Sequence, residues 1–207
     1  MPAGGVYKYD NDSPVTIDKP ILPSRRQRPC NTNHRLLHLR WTEREQGNGA
    51  NIYDMQAFTI TTTSPEETHA LGVSLGRAAF PGAVICLSGA LGAGKTVLAQ
   101  GIAEGLGVTE SVTSPTFVYV HVHAGSLKFY HVDLYQVSGY GQLDTLGLDE
   151  VFAAGGVVAI EWPDRMGRFL PTARLDVAFG YHGEDRVVTL TPTDADHSAL
   201  LERLRGG

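Results

Sequence analysis

The chain has 207 residues, of which 42% are hydrophobic and 19% are charged, and its formal net charge at pH 7 is −5. A chain of this length and composition can form one globular domain with a core of ordinary size. It contains neither the run of about 20 apolar residues that a membrane helix requires nor the basic-then-apolar pattern of a secretory signal. We therefore expect a cytoplasmic protein without membrane contact.

The chain has two cysteines, Cys30 and Cys86. This number is too small for a disulfide framework or a cysteine metal site. Cys86 lies in an apolar run, where a small core residue is expected. We therefore expect no disulfide-linked partner.

Charge and composition change near residue 54. Residues 1–54 carry eight Lys or Arg and six Asp or Glu, whereas residues 55–207 carry nine and sixteen, so the net charges are +2 and −7. Residues 1–54 mix Pro, Asn, Arg and Gly without an apolar period, which predicts a disordered extension. The acidic remainder is a poor electrostatic partner for nucleic acid, so any RNA is expected to be bound through another protein.

From residue 55 onward, strand and helix patterns alternate. The segment that begins at Ser64-Pro65 predicts a helix start, with a capping side chain followed by proline and two acids. The alternation predicts a single α/β domain with a mostly parallel sheet covered by helices and late antiparallel strands at one edge. The predicted helices are 65–80, 94–106, 142–154 and 194–204, and the predicted strands are 57–62, 83–87, 117–123, 127–133, 157–160, 175–179 and 186–191.

A glycine-rich segment, Gly89–Thr96, matches the pattern G-x-x-x-x-G-K-[ST] between a predicted buried strand and a predicted helix. This context is typical of a phosphate-binding loop, or P-loop. Its glycines allow the backbone N–H groups to turn towards a phosphate at a helix N-terminus. Lys95 is predicted to contact the β- and γ-phosphates, and Thr96 to coordinate Mg²⁺. The predicted nucleotide-binding residues here are Gly89, Gly92, Ala93, Gly94, Lys95, Thr96 and Val97.

Two predicted strands end in an acid, at Asp133 and at Glu161. A P-loop requires a carboxylate at the end of a neighbouring strand to hold the metal, directly or through water. Strand ends of this kind meet the ligand crevice of an α/β sheet. Asp133 could instead cap a turn and Glu161 could be a surface acid, but Trp162-Pro163 directly after Glu161 disfavours a solvent position. We predict that Lys95, Asp133 and Glu161 are the catalytic residues.

The segment Thr113–Phe117 places three hydroxyl groups around a proline. Such a loop could sense a γ-phosphate and change shape when the phosphate leaves. It could equally be a turn that leads into a strand. The residues themselves do not decide between these two interpretations.

With these segments in place, the chain resembles the TsaE family, also called YjeE, the ATPase component of the bacterial system that makes threonylcarbamoyladenosine on tRNA. The resemblance rests on four segments in order: Leu87–Thr96, Ser114–Phe117, His131–Tyr135 and Ile160–Pro163. It covers residues 55 to about 191.

The resemblance implies that the P-loop binds ATP with Mg²⁺, that Thr96 and Glu161 ligate the metal, and that Asp133 is required for hydrolysis. It implies that ATP turnover drives a cycle of a TsaB–TsaD complex that modifies position 37 of tRNA. Homologues of TsaB and TsaD are then the expected partners, and tRNA is contacted only indirectly. It also implies a switch role for the loop after the P-loop helix, which adds three nucleotide-binding residues: Thr113, Ser114 and Thr116.

Three features depart from the family pattern. Residue 97 is Val where a second Thr is frequent, and Gln136 stands where Arg is common. The extension 1–54 has no family counterpart. Because Met55 opens the recognisable domain, we expect translation to begin there.

Two alternative functions remain. A small-molecule kinase shares the size and the P-loop, but the chain has no Arg and one Lys between Leu106 and Ile160, which argues against a basic lid. An ATP-dependent assembly module that hydrolyses slowly, if at all, is the other alternative, because no arginine finger is evident.

His121 and His123 alternate along one predicted strand and could suggest a metal pair. No third ligand is evident in the sequence, and structural zinc sites have four ligands. We interpret both as residues of a half-exposed polar strand face and predict no transition metal.

Overall fold

The computed structural model describes residues 41–43, 56–113 and 119–206, with only the backbone described for residues 41–43. Within these residues the longest helix, α1, has 14 residues, and no helix has the combined length and apolar character that crossing a membrane requires. The elements in chain order are β1 (Trp41–Glu43), β2 (Phe58–Thr62), α1 (Pro65–Ala78), β3 (Val84–Ser88), α2 (Lys95–Gly105), β4 (Val120–His123), β5 (Phe129–Asp133), α3 (Tyr140–Leu143), α4 (Leu148–Ala153), β6 (Val157–Glu161), a 3₁₀ helix (Pro163–Phe169), β7 (Leu175–His182), β8 (Asp185–Pro192) and α5 (Ala195–Gly206).

The described strands form one sheet in the order β1-β2-β8-β7-β3-β6-β5-β4. Strands β7, β3, β6 and β5 are parallel to their neighbours in this central group. The pairs β1–β2, β2–β8, β7–β8 and β4–β5 are antiparallel. The predicted single α/β domain is confirmed, but the sheet is mixed rather than mostly parallel, because antiparallel strands flank the parallel centre on both sides.

The sheet carries a hydrophobic core on each face. Ile85 and Leu87 of β3 lie in the core that includes α1, α2 and α5. Val84 and Cys86 of the same strand lie in the opposite core, with residues of α3, α4 and the 3₁₀ helix. Successive side chains of a strand point to opposite faces, so both faces of β3 are covered. The predicted strand buried on both faces is confirmed.

Several predicted boundaries differ from the structure. The predicted helix 142–154 is two helices, because Gly147 has φ 63° and is the N-cap residue that precedes α4. Helix α1 ends at Ala78, two residues before Phe80, whose position ahead of Pro81 disfavours helical backbone. Strand β1 lies in the segment predicted to be a disordered extension and pairs with β2. The remaining residues of that extension lie outside the described residues.

Helix α1 begins as its sequence predicts. The Ser64 side chain accepts a hydrogen bond from the Glu67 backbone N–H at 3.2 Å. The Glu67 carboxylate in turn accepts the Thr63 backbone N–H at 2.7 Å. These reciprocal bonds resemble a capping box. The difference is that the Glu67 carboxylate accepts the N–H of Thr63, one residue before the N-cap residue Ser64.

Helices α1 and α2 pack against each other through glycines. A Cβ atom on Gly72 would lie 2.3 Å from the Leu98 carbonyl oxygen and 2.9 Å from the Gly101 Cα. One turn further, a Cβ atom on Gly76 would lie 3.0 Å from the Gly105 Cα. Gly72 therefore faces Gly101 and Gly76 faces Gly105, so the helices run parallel with their N-termini at the same end. The close contact leaves no room for a side chain at these positions.

A buried histidine joins α5 to the start of β3. His197 Nδ1 lies 2.5 Å from Asp194 Oδ2, and His197 Nε2 accepts the Val84 backbone N–H at 3.2 Å. Nδ1 therefore carries the proton that is shared with the carboxylate. Asp194 Oδ1 also accepts the backbone N–H groups of Asp196 and His197 at the start of α5. Burial raises the pKa of Asp194, but the hydrogen bonds from His197 outweigh burial and the net pKa is lowered.

Replacing Gly72 with Ala should lower the free energy of unfolding by about 1–3 kcal/mol, because the added methyl group would overlap the α2 backbone. Urea unfolding measures this change. The control is Gly141→Ala in α3, where an added Cβ would meet no atom within 4 Å and the higher helix propensity of Ala should stabilise by up to about 1 kcal/mol. Equal unfolding free energies for Gly72→Ala and wild type would contradict the close contact.

Replacing Asp194 with Asn should reduce the dependence of stability on acidic pH. Because the pKa of Asp194 is lowered in the folded protein, its carboxylate stabilises the fold above its unfolded pKa of about 3.9, and this contribution is lost as pH falls through the folded pKa. Asp194→Asn should therefore be less stable than wild type at pH 7 and should lose less stability between pH 5 and pH 3. Urea midpoints across this range test it, with Asp144→Asn at an exposed position as the control; parallel wild-type and Asp194→Asn profiles would refute it.

Candidate nucleotide-binding site

The predicted P-loop lies between β3 and α2, as the sequence indicates. Gly89, Gly92 and Gly94 have φ angles of 139°, 76° and 109°, a region that L side chains rarely adopt. Among the described residues, no side chain caps the N-terminus of α2, which begins after Gly94. The N–H groups of its first turn are therefore available to an anionic ligand, which the helix dipole also favours.

A cleft of ≈ 260 Å³ opens beside this loop. The three predicted catalytic residues, Lys95, Asp133 and Glu161, all line it. Two lining residues project strongly into solvent, Leu91 with 72% and Tyr135 with 47% of their surface exposed. The complete lining is Leu91, Gly92, Gly94, Lys95, Thr96, Val97, Asp133, Tyr135, Glu161 and Trp162.

Some predicted nucleotide-binding residues do not line this cleft. The Ala93 side chain packs into the hydrophobic core, and its N–H donates to the Ala90 carbonyl at 3.2 Å. Thr113 is exposed and is not part of the lining. Ser114 and Thr116 lie outside the described residues, so their proposed switch role stays a prediction.

Lys95 is almost fully buried, with 4% of its surface exposed. Its Nζ donates to the Gly89 and Ala90 carbonyl oxygens, each at 2.9 Å. Nζ also lies 4.1 Å from the centroid of the Trp162 ring, a favourable cation–π distance. Burial lowers the pKa of Lys95, and the nearby carboxylates, Glu161 foremost, oppose this decrease. The loop thus holds a cation against its own carbonyl groups, next to the N-terminus of α2.

Glu161 and Thr96 meet at the base of the cleft. The Thr96 hydroxyl donates to Glu161 Oε1 at 2.9 Å, and Glu161 is 3% exposed. The register of β5 and β6 pairs Asp133 with Glu161, which brings the second acid beside them. Because the Thr96 hydroxyl proton is directed at the carboxylate, the lone pairs of the hydroxyl oxygen remain available for a cation. Hydroxyl and carboxylate oxygens suit Mg²⁺, so these residues fit the implied metal.

Asp133 combines the two roles that the sequence left as alternatives. Its Oδ1 accepts the Tyr135 backbone N–H at 3.0 Å, which stabilises the turn after β5. Its backbone N–H donates to the Tyr119 carbonyl at 3.0 Å. The same residue lines the cleft. Asp133 therefore caps a turn and also lies within the site.

Trp162 is a site residue that sequence reasoning assigned no role. Among the described residues it is the one non-glycine residue with positive φ, at 60°, which costs about 1–3 kcal/mol. Its N–H donates to the Leu87 carbonyl at 3.2 Å, and its ring lies 5.0 Å from that of Tyr135. These contacts hold the ring over Lys95. The only signal in the sequence was its position directly after Glu161.

His131 is a second site residue to which the sequence assigned no role. It is fully buried, and its Nε2 lies 2.9 Å from Glu161 Oε1. Alternation along β5 places it on the same face as Asp133, two residues later. That spacing was visible in the sequence, but the contact with Glu161 depends on how β5 pairs with β6.

Of the two β4 histidines interpreted as half-exposed polar residues, His121 fits that interpretation and His123 does not. His123 is buried, with 7% of its surface exposed, and its Nδ1 lies 2.7 Å from Glu110 Oε1. His121 is half-buried, and burial lowers its pKa. Among the described residues, no group of three or more His, Cys, Asp or Glu is arranged to hold a metal ion.

Comparisons with known proteins agree on one family. A family model described as threonylcarbamoyl adenosine biosynthesis protein TsaE matches residues 62–188. The tRNA threonylcarbamoyladenosine biosynthesis protein TsaE of Bacillus subtilis is 40% identical over 152 residues, which cover 72% of this chain and 95% of that protein. The protein of the same name from a Nostoc species is 38% identical over 153 residues, covering 70% and 93%.

A solved structure supports the same relationship. The crystal structure of Bacillus subtilis YdiB matches with a TM-score of 0.64 and 34% sequence identity, over 72% of this chain and 95% of that one. The family model spans more than half of the chain, and the relatives are covered almost completely. The chain therefore belongs to the TsaE family.

Proposed function

We propose that this protein is the ATP-binding and ATP-hydrolysing component of the machinery that makes threonylcarbamoyladenosine at position 37 of tRNA. It acts in the cytoplasm through a complex of TsaB and TsaD homologues and does not transfer the threonylcarbamoyl group itself. The names of its relatives support the pathway. The observation that carries the ATPase assignment is the convergence of Lys95, Thr96, Asp133 and Glu161 on one cleft at a P-loop.

The phosphates of ATP bind at the N-terminus of α2. The loop glycines and the uncapped first turn supply N–H donors, and anions are favoured at this end of a helix. Lys95 exchanges its two carbonyl acceptors for phosphate oxygens. A charge-assisted bond between ammonium and phosphate is stronger than the two neutral acceptors that it replaces.

Thr96 and Glu161 hold Mg²⁺ in this proposal, directly or through water. Bound Mg²⁺ neutralises phosphate charge and so lowers the barrier to attack on the γ-phosphorus. Glu161 accepts the Thr96 hydroxyl and so leaves the lone pairs of that oxygen free, and these would be available to the cation. Asp133, beside Glu161 in the sheet register, orients the attacking water.

The composition of the cleft supports a dependence of hydrolysis on partners. Within the described residues, no Arg lines the cleft. An arginine that reaches the transferred phosphoryl group contributes about 10³ to 10⁵ in rate. The isolated protein should therefore hydrolyse ATP slowly.

The absence of an arginine from the described lining of the cleft also favours a second candidate function. This is an ATP-dependent assembly module in which bound nucleotide fixes a shape that partners recognise. The same absence also counts against a small-molecule kinase, which surrounds the transferred group with arginines.

Replacing Glu161 with Gln should lower Mg²⁺-dependent ATP hydrolysis at least about 10-fold, because a neutral amide is a poorer metal ligand than a carboxylate. Phosphate release is measured for the protein alone and with TsaB and TsaD homologues. Glu150→Gln, an exposed acid on α4, is the control and should behave as wild type. ATP hydrolysis that neither Glu161→Gln nor any partner changes would support the assembly module instead.

Retention of TsaB and TsaD homologues on the immobilised protein should depend on the bound nucleotide. The reason is that ATP presents more negative charge than ADP to Lys95 and the proposed metal. The pull-down compares ATP, ADP and no nucleotide. Failure to retain either homologue under all three conditions would remove the pathway assignment. Equal retention under all three would leave the partners in place and refute control by nucleotide.

A further inference from the structure

One oxygen atom of Glu161 receives two hydrogen bonds. Oε1 accepts the Thr96 hydroxyl at 2.9 Å and lies 2.9 Å from His131 Nε2. Thr96 belongs to the P-loop helix and His131 to β5, so the carboxylate is held from two separate elements. A carboxylate at the end of a strand has several rotamers, and two donors on one oxygen select one of them.

The hydrogen bond to Glu161 determines which ring nitrogen of His131 carries a proton. An ionised carboxylate accepts but does not donate, so His131 Nε2 carries a proton. The other ring nitrogen, Nδ1, is buried and has no hydrogen-bond partner within the described part of the chain. Burying a polar atom without a partner is unfavourable. His131 thus keeps its bond to Glu161 although its second nitrogen is left unsatisfied.

The packing around His131 holds the ring in place. Its ring stacks on Phe129 with a centroid distance of 6.1 Å and an interplanar angle of 22°. In the parallel register of β5 and β6, His131 is paired with Ala159. The small side chain of Ala159 leaves space on this face, across which the imidazole reaches diagonally to Glu161, two residues further along β6. The donor is therefore fixed by the sheet and not by a flexible loop.

We infer that His131 is a positioning residue for the metal: it holds the Glu161 carboxylate in the orientation that accepts the Thr96 hydroxyl. The inference rests on the proposed function, because it assigns Thr96 and Glu161 to Mg²⁺. Residues that hydrogen-bond to a ligand of a metal tune affinity for that metal, and their loss typically costs 10- to 100-fold. His131 should thus affect nucleotide binding only when Mg²⁺ is present.

The chain contains a matched buried pair outside the cleft. His123 is buried on the same sheet face, and its Nδ1 lies 2.7 Å from Glu110 Oε1. Its other nitrogen also lacks a partner among the described residues. The Glu110 side chain is 59% exposed, and neither residue lines the cleft. Replacing His123 therefore removes an equivalent contact between a buried imidazole and a carboxylate without touching the proposed metal ligands.

The test measures ATP affinity by calorimetry, once with Mg²⁺ and once with EDTA. Its readout is the dissociation constant in EDTA divided by the dissociation constant with Mg²⁺, which is the factor by which Mg²⁺ strengthens ATP binding. His131→Asn shortens the side chain, so its amide cannot reach Glu161. The ratio should fall about 10-fold, while affinity in EDTA stays within about 2-fold of wild type. His131→Gln places an amide N–H near the Nε2 position and should restore most of the ratio. His123→Asn should leave the ratio unchanged.

Thermal unfolding confirms that each variant is folded before it is measured. If His131→Asn does not fold, His131→Met takes its place, because Met removes the donor and retains apolar packing on Phe129. An unchanged ratio in either folded variant, no recovery in His131→Gln, or an equal decrease in His123→Asn would overturn the positioning role. If wild type shows no ATP binding that Mg²⁺ strengthens, the proposed function itself fails, which is a separate outcome.

Discussion

The register of three parallel strands determines where the site can form. Strand β6 lies between β3 and β5, and its last residue, Glu161, is paired with Leu87 on one side and Asp133 on the other. The P-loop begins directly after β3, so this register brings a carboxylate to the point where α2 starts. Because side chains alternate across a sheet, a slip of one residue would move Glu161 to the opposite face. The two hydrophobic cores oppose that slip, since it would exchange their residues.

The close contact between α1 and α2 connects the P-loop to the rest of the domain. Glycines on both helices allow the backbones to approach, and the parallel arrangement places both helix N-termini on the same side. At that end, Phe179 of β7 lies so close to Gly89 that a Cβ atom there would be 2.8 Å from the Phe179 Cβ. The P-loop is thereby enclosed by α1 and β7 as well as by the strands that carry the acids. Its shape is a property of the domain and not only of its own glycines.

Features encoded by neighbouring residues could be predicted from the sequence, and features that join distant segments could not. The P-loop, the start of α1 and the buried β3 each follow from a short run of residues, and Asp133 and Glu161 follow from apolar runs that end in an acid. His131 and the glycines at 72 and 101 act through contacts between elements far apart in sequence. The sheet was expected to be more parallel than it is, because alternation of strands and helices does not reveal which side β2 and β8 occupy.

The position of Lys95 has a consequence for selectivity. Its ammonium group already has two carbonyl acceptors and an aromatic ring, so an incoming molecule must offer more than the loop itself provides. A neutral nucleoside, or a ligand with a single weak acceptor, lacks the charge to displace these contacts. A polyphosphate carries several negative oxygens and can do so. In the proposed function, these contacts of Lys95 would therefore make the loop discriminate by charge before any base or sugar is contacted.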